Sequence, residues 1–464
     1  MKVCIQLHLT LPLKDFFVYN FYSYKSLHLH LLKLMKNNIL FQVFGSIFLA
    51  VIAGLMTGPD RAIFGVTYLQ LFTLIGQLFL NALTLVVVPL VASSIIIGTA
   101  RLGSEGSFGK LGVKTFGYFM TTSLLAIVTG WLLMMAFSPG SLQESPAALV
   151  SVAEKARLVA LEQQTQGNVF STIEQILFKI VPSNILAVAS QGQMLGLIFF
   201  SLLFGFFSAK IEPEAASIVQ GFWRGIFQIM MKMTQMVMKA LPIGVFGLVA
   251  KVVASTGLDS VKPVGMFFLV VILGLLIHGL IILPLMLRFI GGVNPFLHFR
   301  AIAPALLTAF STSSTAATLP ITIDCVEKRA GVSNRICSFT IPLASSVNLS
   351  GSALYVCCAV LFSAQVYGIH LSFVTQLLVV LMTLLTSLGV AGIPSASLIS
   401  VLMILQTLGL PADAIGMILA VERLLDMSRS VVNVFGNTCC AVLVARSEGE
   451  ATDLIKHLKT SISA

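Results

Sequence analysis

Near the carboxyl end of this chain, Glu422, Asp426, Arg429, Asn433 and Asn437 follow one another at intervals of four, three, four and four residues. On a helix that spacing puts all five on one face. The residues around them are apolar, so the stripe reads as part of a membrane span, where charges are costly and mark function. A guanidinium grips a carboxylate through two parallel N–H bonds, a carboxylate one turn away can hold an ammonium, and asparagine offers both a donor and an acceptor. Such a stripe complements a small zwitterion with an extra carboxylate. An Asp426–Arg429 ion pair that only ties helices together fits the same spacing. Arg423 falls off the stripe and is expected to snorkel or to pair elsewhere.

Three more polar islands interrupt apolar sequence. Ser311 to Thr315 are five consecutive hydroxyl residues, followed by Pro320. Gly389, Gly392, Pro394, Ser395 and Ser397 do the same about eighty residues later. A hydroxyl run competes for backbone hydrogen bonds and proline lacks a donor, so both stretches predict broken helices. Unwound backbone at membrane depth is tolerated only where it is buried in protein or lines a cavity, and paired interruptions point to a transporter site. The third island, Ser345 to Ser352, includes Asn348 and Gly351 and predicts unwound backbone offering carbonyls to a cation. Kinked but complete spans, or a hydroxyl-lined packing seam, fit these patterns too.

The elements that must carry these residues follow from composition and hydropathy. The 464 residues are 57% hydrophobic and only 10% charged, against about 25% charged in a soluble domain. That argues against a soluble enzyme or a nucleic-acid binder and for roughly eight to twelve membrane spans. Apolar runs place spans at about 39–58, 68–99, 115–137, 183–208, 222–254 and 264–288, with interrupted runs at 295–325, 336–368, 371–409 and 413–446. Residues 1–38 carry five lysines against Asp15 and read as a basic extension, with Met35 resembling a start of the membrane part. Segments 101–114 and 324–335 are basic and 138–168 is acidic. The N-terminus, both basic segments and the tail are therefore expected in the cytoplasm, and 138–168 outside. For 324–335 to be cytoplasmic, 295–325 must enter and leave on one side. The same holds for 371–409, so both read as re-entrant hairpins.

At these residues the chain resembles the dicarboxylate/amino acid:cation symporter family, the glutamate and aspartate transporters. The hydroxyl run ending Ala317-Thr318-Leu319-Pro320 is similar to that family's first hairpin tip, and Gly389 to Pro394 to its second. Asn348-Leu349-Ser350-Gly351-Ser352 stands at its Asn-Met-Asp-Gly-Thr motif, and Asp426-Met427-Ser428-Arg429-Ser430 with Asn433 at its last-helix signature. The likeness covers roughly residues 39–446. It implies an all-α integral membrane protein with eight transmembrane helices plus two re-entrant helical hairpins. Helices 1 to 6 would occupy 39–294, the C-terminal core 295–446 and a cytoplasmic tail 447–464. It further implies a homotrimer in the cell membrane, moving by an elevator mechanism. Helices 1, 2, 4 and 5 would be the scaffold, the rest would slide, and hairpin 2 would be the extracellular gate.

Carried over by position, Arg429 would hold the substrate's side-chain carboxylate and Asp426 its amino group. Asn433, Thr315 and the backbone near Ser313 and Ser314 would hold the α-carboxylate, with Ser352, Gly392 and Ser430 lining the pocket. Cations would sit among Asn348, Ser350, Asn437, Ser346, Leu349, Ser93, Ser94 and Asn433. Two family acids of the sodium sites are replaced here, by Ser350 and Asn437. Since a carboxylate compensates a dehydrated cation far better than a hydroxyl does, coupling is expected to use fewer sodium ions or a proton. Glu422 is the candidate proton carrier. The resemblance needs no cofactor beyond Na+ or H+, and makes the partners an acidic amino acid or dicarboxylate and membrane lipid. Competing readings are a C4-dicarboxylate symporter, an ion-uncoupled carrier or channel, and an intramembrane hydrolase built on a serine of 311–314. The last lacks a general base, because His278, His298 and His370 lie in no polar constellation with those serines.

Overall fold

A computed structural model describes residues 39–102, 107–142, 178, 181–190, 194–257, 261–387, 397–411, 414–452 and 454. The basic extension 1–38, most of the acidic segment 138–168, the tip of the second hairpin with Gly392, and most of the tail lie outside the described residues. Among the described residues the chain is helical, with one correction to the all-α expectation. A two-residue antiparallel ribbon pairs β1 (Ala62–Ile63) with β2 (Val66–Thr67). Its turn residues Phe64 and Gly65 take φ of 51° and 82°, the left-handed pair that a two-residue hairpin demands.

The helices are α1 (Ile39–Thr57), α2 (Tyr68–Leu102), α3 (Ser107–Phe137), α4 (Ile185–Ser190), α5 (Met194–Ser208), α6 (Pro213–Lys239), α7 (Leu241–Thr256) and α8 (Val261–Ile277). A π-helical turn (His278–Ile282) joins α8 to α9 (Leu283–Phe289). Then come α10 (Pro295–Thr312), α11 (Thr315–Lys328), α12 (Asn334–Val347), α13 (Ser350–Val366), α14 (Phe373–Ser387), α15 (Ser397–Thr407) and α16 (Ile415–Ser447). Five described stretches are long and apolar enough to cross a bilayer: Tyr68–Ala100, Leu111–Leu142, Lys262–Phe289, Asn334–Val366 and Ile415–Ser447. The protein is a multi-pass membrane protein. Two expected spans divide. The run 222–254 is parts of α6 and α7, which meet at Ala240 with a 55° bend. Pro242, at the start of α7, has no amide to extend the ladder of α6. The run 183–208 splits into α4 and α5.

The helices pack in two groups. In one, α7 lies on α1 and α2, and α2 also packs on α5 and α6. In the other, α3, α8 and α10 to α16 pack around α13 and α16. Contacts between α7 and α16 and between α2 and α15 join them. Small residues set the closest approaches, as in other membrane helix pairs. A Cβ on Gly205 of α5 would fall onto Thr99 Oγ1 and within 2.5 Å of Ile96 O, both on α2. At one end of the second group, three separate segments meet the end of α16. Lys114 pairs with Glu448, Arg446 Nε donates to Gly291 O (3.0 Å), and Ser333 N donates to Glu450 (3.1 Å).

Candidate functional site

The first hydroxyl run forms a helical turnback. α10 ends at Thr312 and α11 begins at Thr315, and the two helices pack on each other. The break falls at Ser313 and Ser314, while Pro320, which could have disrupted α11, sits inside it. Ser313 takes the left-handed conformation (φ 51°), and its buried hydroxyl has no hydrogen-bond partner among the described residues. Ser314 caps α11 by accepting from Ala317 N (3.2 Å). Thr315, the first residue of α11, donates to Ser345 O in the last turn of α12 (3.1 Å).

α12 and α13 are two halves of one apolar stretch, interrupted at Asn348 and Leu349. Leu349 (φ −105°, ψ 57°) leaves helical geometry just before α13. α16 crosses here. Gly351 permits the approach, since a Cβ on it would lie 3.0 Å from Arg429 O and 3.1 Å from Val432 Cβ. Asn433 then satisfies the open end of α13, its Oδ1 accepting from Gly351 N (2.8 Å) and Ser352 N (3.2 Å), its Nδ2 donating to Ser352 Oγ (3.0 Å). These are the orphan amides of a helix start, a natural anion seat.

One turn along α16, Arg429 is fully buried. Its Nη2 donates to Glu422 Oε1 and to Asp426 Oδ1, both at 2.7 Å. Nε and Nη1 have no hydrogen-bond partner among the described residues. The guanidinium stacks on the Tyr355 ring of α13, whose hydroxyl donates to Glu422. Arg423 does not snorkel: its side chain is 11% exposed and its Nη1 lies 3.5 Å from Asp426 Oδ2. The stripe's Glu422, Asp426 and Arg429 together with Arg423 therefore form a four-charge cluster, two carboxylates against two guanidiniums. The ion pair that spacing alone allowed does form, yet it leaves two guanidinium nitrogens unspent. An unpaired buried donor costs about 1–3 kcal/mol, more on a charged group, so the cluster is primed for another acceptor.

Other expected residues are placed as follows. Ser430 is buried beside Arg429. Ser346 lies in the last turn of α12. Asn437 is buried on α16 against the α12–α13 break, and Ser350 opens α13. Ser93 turns its hydroxyl back onto Pro89 O of its own helix (2.6 Å). Ser94 lines a cavity of about 250 Å³ between α2, α6 and α12, with Arg224, Gln228 and Val347. Sequence reasoning missed Tyr355, whose signal was its place three residues after Ser352, one turn along the same helix face. It also missed two histidines that do join polar groups: His278 Nε2 meets Ser350 Oγ (3.3 Å) and His298 Nε2 meets Thr438 Oγ1 (3.0 Å). Neither bond involves the serines of 311–314.

Comparison with known proteins gives the same direction throughout the chain. It is 34% identical to the proton/glutamate-aspartate symporter of Escherichia coli (strain K12), over 80% of this chain and 84% of that protein. It is 34% identical to the proton/sodium-glutamate symport protein of Bacillus caldotenax, over 89% and 96%. It is 32% identical to human excitatory amino acid transporter 2, over 91% and 81%. A match to the sodium:dicarboxylate symporter family runs over residues 39–447, from the first helix to the end of the one that carries the charged stripe. The chain belongs to the sodium:dicarboxylate symporter family.

Proposed function

We propose that this protein is a secondary active transporter that takes up acidic amino acids, glutamate or aspartate, by symport with sodium, protons or both. The observation that carries this reading is Arg429, a buried guanidinium with Nε and Nη1 unpaired among the described residues and Nη2 shared between two acids. A substrate carboxylate seated on the Nη1–Nη2 edge would take Nη2 from Asp426. The released Asp426 carboxylate would then receive the substrate ammonium. The exchange replaces one internal ion pair by two substrate pairs and strands no buried charge, which would otherwise cost several kcal/mol. Asn433, Ser352, Thr315 and the broken backbone at Ser313 and Ser314 supply the dipoles for the α-carboxylate. Relatives named for glutamate or aspartate support the same substrate class.

Charge balance argues for symport. Glu422, Asp426, Arg423 and Arg429 sum to zero, and an acidic amino acid brings one net negative charge. A buried complex returns to neutrality when one cation travels with it. Glu422, facing Arg429, is the proposed seat for a proton. Backbone oxygens at Ser346 and Leu349 are the proposed ligands for a sodium ion, with Ser93 and Ser94 as outlying hydroxyls. The two helix groups support an elevator: α1, α2 and α4 to α7 as scaffold of a homotrimer, the rest as the moving body, with two re-entrant hairpins and the second as extracellular gate. The meeting of Lys114, Gly291, Ser333 and the end of α16 supports one cytoplasmic face, with the acidic segment opposite, in the cell membrane.

Reconstitution into proteoliposomes tests the reading. Labelled glutamate or aspartate should accumulate under inward sodium or proton gradients, and Arg429→Ala should abolish accumulation. Accumulation of succinate that neither amino acid inhibits would overturn it.

A further inference from the structure

Beside the charged cluster, the break between α12 and α13 holds a second polar centre. Thr122, His278, Asn348 and Ser350 are 0% exposed and Asn437 2%. The family resemblance implies coupling cations near Asn348, Ser350 and Asn437, and the donor set around these three can be tested for that task. Asn348 Oδ1 accepts from the Thr122 hydroxyl (3.0 Å). Ser350 Oγ is engaged by His278 Nε2 (3.3 Å), presented by the π-helical turn that interrupts the α8–α9 span. π-turns of this kind recur at functional positions. The Asn437 amide accepts from Asn348 Nδ2 through its oxygen (3.2 Å); turned the other way, its nitrogen would donate to two converging backbone carbonyls, Asn348 O at 2.9 Å and Asn433 O at 3.2 Å, and lie 3.2 Å from Asn348 Nδ2. In either orientation a neutral amide, not a carboxylate, fills the space beside those carbonyls. The backbone of α16 closes the remaining side, since a Cβ on Gly436 would stand 3.4 Å from Ser350 Oγ and 3.7 Å from Asn348 Nδ2.

The donor set does not fit a sodium ion. None of the five side chains is a carboxylate, each is hydrogen-bonded to at least one other of the five, and a buried cation without a counter-charge is strongly disfavoured. We propose that this centre is a sodium-free knot, in which the Asn437 amide and the His278–Ser350 hydrogen bond stand where cations would otherwise sit, so that it contributes no sodium ion to coupling. The proposal rests on the symport reading above. It deepens that reading by confining sodium to at most one ion, held by the backbone oxygens at Ser346 and Leu349 and not by these five side chains.

Counting sodium through stability separates the two claims. A ligand that binds only the folded protein stabilises it by RT ln(1 + [L]/Kd), so the slope of stability against ln[Na+] counts bound ions. The full chain, purified in detergent, would be unfolded thermally in NaCl–KCl mixtures of constant ionic strength. Expected slopes correspond to at most one ion for the natural chain. Asn437→Asp is nearly isosteric and turns a carboxylate toward two carbonyl oxygens, which only a cation between them relieves. That variant should gain about one ion, shown as a sodium-specific rise in melting temperature. Ser350→Asp, read the same way, provides a second test should Asn437→Asp not fold. A slope of two or more ions for the natural chain, or no gain in either variant, would overturn the proposal. The measurement needs no transport, so a protein that carried no acidic amino acid would sink the symport reading alone.

Discussion

The Arg429 guanidinium lies over the face of the Tyr355 ring, its central carbon 3.8 Å from the ring centroid. The same tyrosine's hydroxyl donates to Glu422, which also accepts from Arg429. Tyr355 thus holds the cation by its face and one of its counter-ions by its edge. A desolvated cation–π contact is worth about 2 kcal/mol, close to 30-fold in affinity. Tyr355→Phe keeps the ring and loses only the hydroxyl bond, so its KM for glutamate should rise only a few-fold. Tyr355→Leu should raise it by roughly 30-fold or more. Initial uptake rates in proteoliposomes measure both. Equal effects of the two variants would mean that the ring face contributes nothing.

Asp426 is the acid proposed to exchange Arg429 for the substrate ammonium. Asp426→Asn keeps the shape but removes the charge that an ammonium needs. Leaving one partner of a buried charge pair alone costs about 3–5 kcal/mol, so affinity for glutamate and aspartate should fall by at least 100-fold. A dicarboxylate without an amine loses no such partner. Competition by succinate, measured against whatever uptake remains, should weaken far less. Parallel loss for all three compounds would show that Asp426 only positions Arg429.

How much of this was legible in the sequence differs from element to element. The stripe on α16 was, because a helical period of 3.6 residues fixes which side chains share a face, and Glu422, Asp426, Arg429, Asn433 and Asn437 are all buried on it. The breaks at Ser313–Ser314 and Asn348–Leu349 were legible too, since hydroxyls and amides compete with the helix ladder locally. What one chain segment could not reveal is what faces it from elsewhere. His278 stands 72 residues from Ser350 and Thr122 stands 226 from Asn348, and no local pattern links them. The bend at Ala240 was missed for another reason. α6 and α7 are both apolar enough to read as one run, and hydropathy records composition but not direction. For Arg423 the sequence left snorkelling or pairing open, and only the fold shows that it pairs, with Asp426 within its reach.

Gly205 tests the packing of α5 on α2. Alanine there would conflict with Thr99 Oγ1 and with the backbone at Ile96, whose Cα lies 2.9 Å from the added atom. A side chain can turn away, but a helix backbone must move as a unit. Gly205→Ala should therefore cost about 1–3 kcal/mol, the usual range for overpacking, and lower the melting temperature by several degrees. Adding Thr99→Ala should not restore it. Full rescue by that second change would place the whole conflict in the threonine side chain.

Glu422 decides between a proton seat and a simple counter-ion. Its carboxylate accepts from Arg429 Nη2 on one oxygen (2.7 Å) and from the Tyr355 hydroxyl on the other; glutamine keeps the acceptor for Arg429 and can turn its NH2 to donate to the tyrosine hydroxyl instead. Glu422→Gln therefore mimics a permanently protonated glutamate. The four-charge cluster becomes net positive, and an acidic amino acid restores neutrality without a proton. If protons enter with substrate in the natural protein, affinity for glutamate should strengthen as pH falls, and an inward pH gradient should drive accumulation. In Glu422→Gln the pH dependence of binding should flatten and proton-driven accumulation should vanish, while exchange of labelled for unlabelled substrate continues within about tenfold of the natural rate, a barrier change of ~1.4 kcal/mol. Exchange is the informative control, because it needs binding and movement but no net proton flow. Loss of exchange together with accumulation would mark Glu422 as part of the Arg429 scaffold. Proton-driven accumulation that survived in the glutamine variant would move the proton to another group.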